Sequence, residues 1–171
     1  MNQILLAVLY AVLVITPVKS IMAAETGSAM PDCVLTSLAD KQPYDLKQFK
    51  GKVIYVDFWA SWCGPCAKSF PFMNELSRDF KDKGLQVIGV NLDELPADAQ
   101  SFLAQFPANF TIAADHNEQC AKDFGVQAMP STYLVDRNGN VRDVHFGFRA
   151  GEAKELRTLV EQLLAETPVG H

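Results

Sequence analysis

The spacing of apolar and polar residues changes period several times along the chain, and each change marks an element. Val53-Ile54-Tyr55-Val56-Asp57-Phe58 is rich in β-branched and aromatic residues and is bounded by Gly51. A near-continuous run of this kind suits a central strand buried on both faces. The period then lengthens. Phe70, Met73, Leu76 and Phe80 recur at helical spacing, so a helix is expected to start near Pro65, end at Gly84 and be kinked by Pro71. Leu85 to Asn91 reads as a second strand. Ala97 to Phe106 reads as a helix with Ala99, Phe102, Leu103 and Phe106 on one face. Phe110 to Ala113 is a short strand, and Asn117 to Phe124 a short helix closed by Gly125. Ser131 to Val135 and Val141 to Phe146 are strands joined across Asp136-Arg137-Asn138-Gly139, where Asn-Gly favours a hairpin. Leu156, Leu159, Val160, Leu163 and Leu164 share one stripe of a last, amphipathic helix. Ahead of these, Asp32 to Lys52 suggests two extended pieces around a turn at Ala39-Asp40-Lys41.

This order predicts an α/β fold with a central mixed sheet. Parallel strands come from the early alternation, helices cover the faces, and the hairpin adds antiparallel strands at one side. A single domain over residues 32–167 accounts for it, with residues 25–31 as a flexible linker.

The N-terminus reads as an address. Ile4 to Ile15 is apolar over 12 residues, short of the about 20 that span a bilayer but suited to a signal-peptide core. Residues 1–24 are therefore expected to be a signal peptide cut near Ala23 or Ala24. An uncleaved anchor is the alternative, because no Lys or Arg precedes the run and Ile21 and Met22 are bulky. Either way the domain is expected to lie outside the cytoplasm, in the periplasm or its equivalent. Composition narrows the function. A net charge of −5 with no basic cluster argues against nucleic acid as a partner. Four cysteines are too few for a disulfide scaffold, so the pair at Cys63 and Cys66 must be weighed as redox or metal chemistry.

Thiol–disulfide exchange needs one thiolate that attacks and a second that resolves the mixed disulfide. A Cys-x-x-Cys at a helix start sets the first sulfur against free backbone N–H groups and the positive end of the helix dipole, which lowers its pKa. Cys63 is thus the expected attacker and Cys66 the buried resolving thiol. Gly64 permits close approach of a partner chain, Pro65 fixes the loop, and Trp62 shields one side. A structural zinc site needs four ligands. Cys33 and Cys120 are isolated and His116, His145 and His171 are unpaired at ligand spacing, so no metal is expected. Asp57 is an acid inside a buried-type strand, which requires a reason.

Asp57-Phe58-Trp59-Ala60-Ser61-Trp62-Cys63-Gly64-Pro65-Cys66 resembles the active-site strand and loop of the thioredoxin superfamily. Pro71 resembles the family's helix-kinking proline, Met129-Pro130-Ser131-Thr132-Tyr133 the segment with its cis-proline, and Gly147 the glycine of its final strand. The resemblance implies a thioredoxin-like fold and a cis peptide bond at Pro130. It also implies that the backbone of Met129 can pair with a bound substrate strand. Pro31-Asp32, Phe49-Lys50-Gly51-Lys52 and the extra helix between Asn91 and Phe110 are similar to the exported TlpA/ResA-like branch. That likeness implies an N-terminal β extension and one inserted helix. Members of the branch reduce protein disulfides outside the cytoplasm, often in cytochrome c assembly, with electrons from a membrane donor of the DsbD/CcdA type.

Asp57 stands where many members of the branch have Asn, and Glu94 sits where they place an active-site glutamate. Two buried or half-buried carboxyls near one cysteine pair are therefore expected, with Asp57 as the main proton acceptor and Glu94 tuning it. Glu94 equally suits a solvated helix start. Relatives of the TlpA kind can carry a second, structural disulfide, so Cys33 and Cys120 are either bridged or two free thiols. The chain is expected to be a monomeric enzyme without a cofactor, acting on protein disulfides and dithiols in the reductase direction. The alternatives are an exported oxidase or isomerase and a non-catalytic binding module.

Overall fold

The computed structural model describes residues 23–149 and 151–167. The expected signal peptide lies outside the described residues except for Ala23 and Ala24. The strands are β1 (Val34–Ser37), β2 (Pro43–Asp45), β3 (Val53–Trp59), β4 (Leu85–Asn91), β5 (Thr111–Ala114), β6 (Ser131–Val135) and β7 (Val141–Phe146). The α-helices are α1 (Gly64–Phe80), α2 (Pro96–Gln105), α3 (Gln119–Phe124) and α4 (Glu152–Ala165). Short 3-10 turns at Leu46–Phe49 and Lys81–Lys83 complete the order.

All seven strands form one sheet in the order β2-β1-β5-β4-β3-β6-β7. β3, β4 and β5 are parallel, as strands joined through crossover helices must be. β6 runs antiparallel beside β3, and β7 antiparallel beside β6. The expected N-terminal extension adds antiparallel strands at the other side as well, because β1 pairs antiparallel with β5 and β2 with β1. The N-terminal hairpin thereby covers the β5 edge, which would otherwise offer unpaired backbone groups.

Alternation along β3 divides the core. Val53, Tyr55 and Trp59 join α1, α2 and α4 in one cluster with Cys63, Cys66, Phe70 and Met73. Ile54, Val56 and Phe58 face the other way, into a cluster with Cys33, Leu35, Cys120 and Phe124. β3 is buried at every position, which is why its sequence shows no polar alternation. Pro71 lies inside α1, where its missing N–H leaves the Ala67 carbonyl without the usual helical donor.

The stretch expected as a flexible linker, residues 25–31, is instead tied to the β6–β7 hairpin. Gly27 N–H donates to Val141 O at 2.7 Å, Val141 N–H to Ser28 O at 2.8 Å, and Met30 N–H to Gly139 O at 2.8 Å. Ala24 is buried, and its N–H donates to Phe124 O at 3.2 Å. A stretch of mostly small and polar residues reads as linker because it shows no apolar period, yet its backbone groups can pair as well as any, and Met30 packs against the core. Gly125 ends α3 at φ +75°, and a Cβ there would come within 2.4 Å of the Ala23 Cβ. Left-handed geometry and close approach both demand glycine at that corner.

Cys33 and Cys120 form a disulfide with Cα atoms 5.3 Å apart, joining the start of β1 to α3 across 87 residues. Both are buried. Bridging so long a loop mainly restricts the unfolded chain. Replacing both by serine should lower the unfolding free energy by about 3 kcal/mol. Urea denaturation without reductant checks this; an unchanged midpoint would contradict it.

Candidate active site

The register of the sheet builds the site. Phe58 on β3 pairs with Ser131 on β6, so the loop after β3 and the turn before β6 emerge at the same end. The first leads through Ala60, Ser61 and Trp62 to Cys63, and the second contains Met129 and Pro130.

Cys63 is the N-cap of α1, with extended backbone. Its Sγ accepts a hydrogen bond from the Cys66 N–H at 3.2 Å. A thiolate in that place would meet both this donor and the helix dipole. Gly64 and Pro65 occupy the first turn, where a proline costs no hydrogen bond. Cys63 and Cys66 are joined at 2.02 Å, with exposures of 4% and 0% respectively. Contact with solvent is thus confined to the first cysteine. Trp62 is 72% exposed and contributes little to the core.

The Met129–Pro130 bond is cis. Pro130 O accepts from Gly147 N–H at 2.7 Å, tying the end of β7 to this turn. Trp62 and Met129 line one groove of about 580 Å³ with Leu92, Lys122 and Val126. Part-buried Met129 also packs against the cluster that holds both cysteines.

Asp57 is completely enclosed. By strand alternation it faces the same way as Tyr55 and Trp59, toward α1 and the Cys66 side of the sheet. Thr132 Oγ1 donates to Asp57 Oδ2 at 2.6 Å, while Oδ1 has no partner among the described residues. Burial pushes the carboxyl up to about 7, and the Thr132 hydrogen bond opposes part of that rise. Tyr55 is held neutral far above its ordinary range, first by burial and then by the nearby Asp57 charge.

The second expected carboxyl is not buried. Glu94 is exposed. Its neighbour Asp93 turns inward instead, accepting from Ser61 N–H at 3.0 and 3.1 Å, Ser61 Oγ at 2.9 Å and Asn91 Nδ2 at 2.8 Å. Three donors, one of them shared between both oxygens, satisfy a short buried carboxylate here. Asp93 therefore fastens the loop after β4 to the residue two before Cys63. The sequence offered one local sign, an Asn91-x-Asp93 spacing suited to turn hydrogen bonds. Ser61 as partner is a tertiary fact with no local sign. Among the described residues, no three or more His, Cys, Asp or Glu side chains are grouped to hold a metal ion.

The Redoxin family model matches residues 25–163. Thiol-disulfide oxidoreductase ResA of Bacillus thuringiensis subsp. konkukian is 38% identical over 117 residues, covering 68% of this chain and 67% of that protein. ResA of Bacillus subtilis is 32% identical over 121 residues, covering 71% and 67%. A crystal structure described as a thiol:disulfide interchange protein DsbE from Chlorobium tepidum superposes with a TM-score of 0.80 at 43% identity, covering 84% of this chain and 100% of that one. These likenesses agree with the redox chemistry available to a cysteine pair at a helix N-terminus. The chain belongs to the Redoxin family, and it is a thioredoxin-fold protein thiol–disulfide oxidoreductase.

Proposed function

We propose that this oxidoreductase works outside the cytoplasm as a reductase of protein disulfides, with Cys63 attacking and Cys66 resolving. The two-step exchange in this reading is carried by an enclosed carboxyl, Asp57, poised near 7 on the face of the sheet that α1 covers. A partner strand would lie along Trp62, Gly64, Pro65 and Met129, with Pro130 as the opposite wall of the site. Cys63 thiolate attacks the partner's disulfide, one partner sulfur leaves, and a mixed disulfide forms. Cys66 then gives its proton to Asp57 and displaces the second partner sulfur. A base with a pKa near the working pH is suited to this step, being ionised often enough to accept and basic enough to hold the proton.

Export rests on the leader read over residues 1–24. Among the described residues no helix is long and apolar enough to cross a membrane. Electrons would come from a membrane donor of the DsbD/CcdA type. The ResA likeness supports substrates in cytochrome c assembly, and the chain would act as a monomer.

Gly64-Pro65, the dipeptide of thioredoxin, supports the reductase direction. Thioredoxin lies near about −270 mV, against about −120 mV for the strong oxidant DsbA, a gap worth about 7 kcal/mol for two electrons. Equilibration of the Cys63–Cys66 pair with glutathione, read by mass after thiol trapping, should give a potential close to the thioredoxin value. A potential above about −180 mV, that of the isomerases, would reverse the direction.

A further inference from the structure

The two oxygens of Asp57 have unequal surroundings. Oδ2 accepts from the Thr132 hydroxyl at 2.6 Å, and Oδ1 is enclosed without a partner among the described residues. The register makes this contact. Asp57 and Thr132 are directly opposite in the antiparallel β3–β6 pair, so their side chains rise from the same face. A distance of 2.6 Å lies in the range of hydroxyl-to-carboxylate bonds.

Proton accounting then orients the neighbour. A threonine hydroxyl has one proton to donate, and here it points to Asp57. While Asp57 is ionised, Tyr55 Oη, 3.4 Å from Thr132 Oγ1, is therefore the donor in that contact. Tyr55 keeps its proton because burial disfavours the phenolate.

From this arrangement we infer that Thr132, oriented by Tyr55, is a positioning residue that engages Oδ2 and leaves Oδ1 as the oxygen that takes the proton of Cys66. The inference rests on the proposed role of Asp57 as acceptor. In the resolving step the S–H bond of Cys66 breaks and its proton bonds to Oδ1. The Cys66 sulfur uses the released electron pair to bond to the Cys63 sulfur. The bond between Cys63 and the partner breaks, and the partner sulfur leaves with that electron pair as a thiolate. The enzyme is oxidised and the partner reduced.

A hydroxyl donor favours the ionised carboxylate. Without it Asp57 should ionise only at higher pH. Other groups also face this region: Tyr55 on β3, Cys63 at the N-cap of α1 and Cys66 within it, and Asp143 and His145 on β7. Glu152 and Glu155 of α4 stand behind the last two. β4 presents Gly89 opposite Asp57 and so adds no charge. None of these charges is altered when position 132 alone is changed, so a comparison of Val with Ser there isolates the hydroxyl.

The test follows resolution by single-turnover release of a coloured aromatic thiolate from its disulfide across pH 5–9. Thr132→Val should move the midpoint upward by about one pH unit, tenfold in proton affinity. Thr132→Ala should do the same if valine disturbs folding. Thr132→Ser should keep the wild-type midpoint, and none of the three should add a shift in an Asp57→Asn background. An unmoved midpoint in both Thr132→Val and Thr132→Ala, where Asp57→Asn abolishes the pH step, overturns the Thr132 inference alone. Survival of the pH step in Asp57→Asn overturns the acceptor role itself.

Discussion

Cys66→Ser is expected to attack a protein disulfide normally and then fail to let go. Steady-state insulin reduction should fall by at least about 10³-fold, the scale on which loss of a nucleophile acts. A covalent complex through Cys63 should accumulate at the same time. Cys63→Ser should be equally inactive and form no such complex. The asymmetry comes from the fold: Cys63 caps α1 and retains a little exposure, whereas Cys66 lies one turn in, beyond reach of solvent. A partner's sulfur can reach the first and not the second. Non-reducing electrophoresis with mass mapping distinguishes the variants. Complexes trapped on Cys66 in the Cys63→Ser protein would invert the assignment.

Asp57→Asn is the second large effect, and it separates stability from rate. The carboxyl titrates near 7 when folded against 3.8 as its ordinary value, a rise of about 3 units. Between those values the folded carboxyl stays protonated while the unfolded one has ionised. The folded state thus binds more protons, and its stability falls as pH rises from about 4 to about 7. Above that range the full cost is present, on the order of 4 kcal/mol. Asparagine carries no charge. Asp57→Asn should therefore be more stable than wild type by roughly 3–4 kcal/mol at pH 8 and about equal to it at pH 4. The same change should slow the resolving step by about 10²-fold or more near neutral pH, the usual loss when a general base is removed. Denaturation curves at the two pH values test the first statement; a difference that does not vary with pH would contradict it. Resolution rates unchanged across pH 6–9 would remove Asp57 from the mechanism.

Much of this architecture is legible in the sequence because its signals are local. β3 has seven consecutive buried positions, and a run with no solvent face reads as a central strand without reference to anything else. Pro65, Phe70, Met73 and Leu76 announce α1 by spacing alone. Cys63 and Cys66 are adjacent in chemistry because they are adjacent in sequence. Pairing over long distances leaves no such trace. β1 beside β5, the Cys33–Cys120 bridge and residues 25–31 against β7 all depend on segments that meet only after folding.

The same distinction explains the carboxyls. Asp57 stands out because it interrupts an apolar strand. Asp93 and Glu94 are neighbours in a polar turn, and which of them faces inward is decided by Ser61, 32 residues away. Thr132 escaped notice because a threonine in a strand is ordinary; only the register that sets it opposite Asp57 makes its hydroxyl consequential.

The most direct test of the account is limited alkylation of the reduced protein at neutral pH with one equivalent of iodoacetamide, followed by peptide mapping. Cys63 should take the label and Cys66 should remain a free thiol. Preferential labelling of Cys66 would contradict the claim that the helix-capping sulfur is the attacking thiolate.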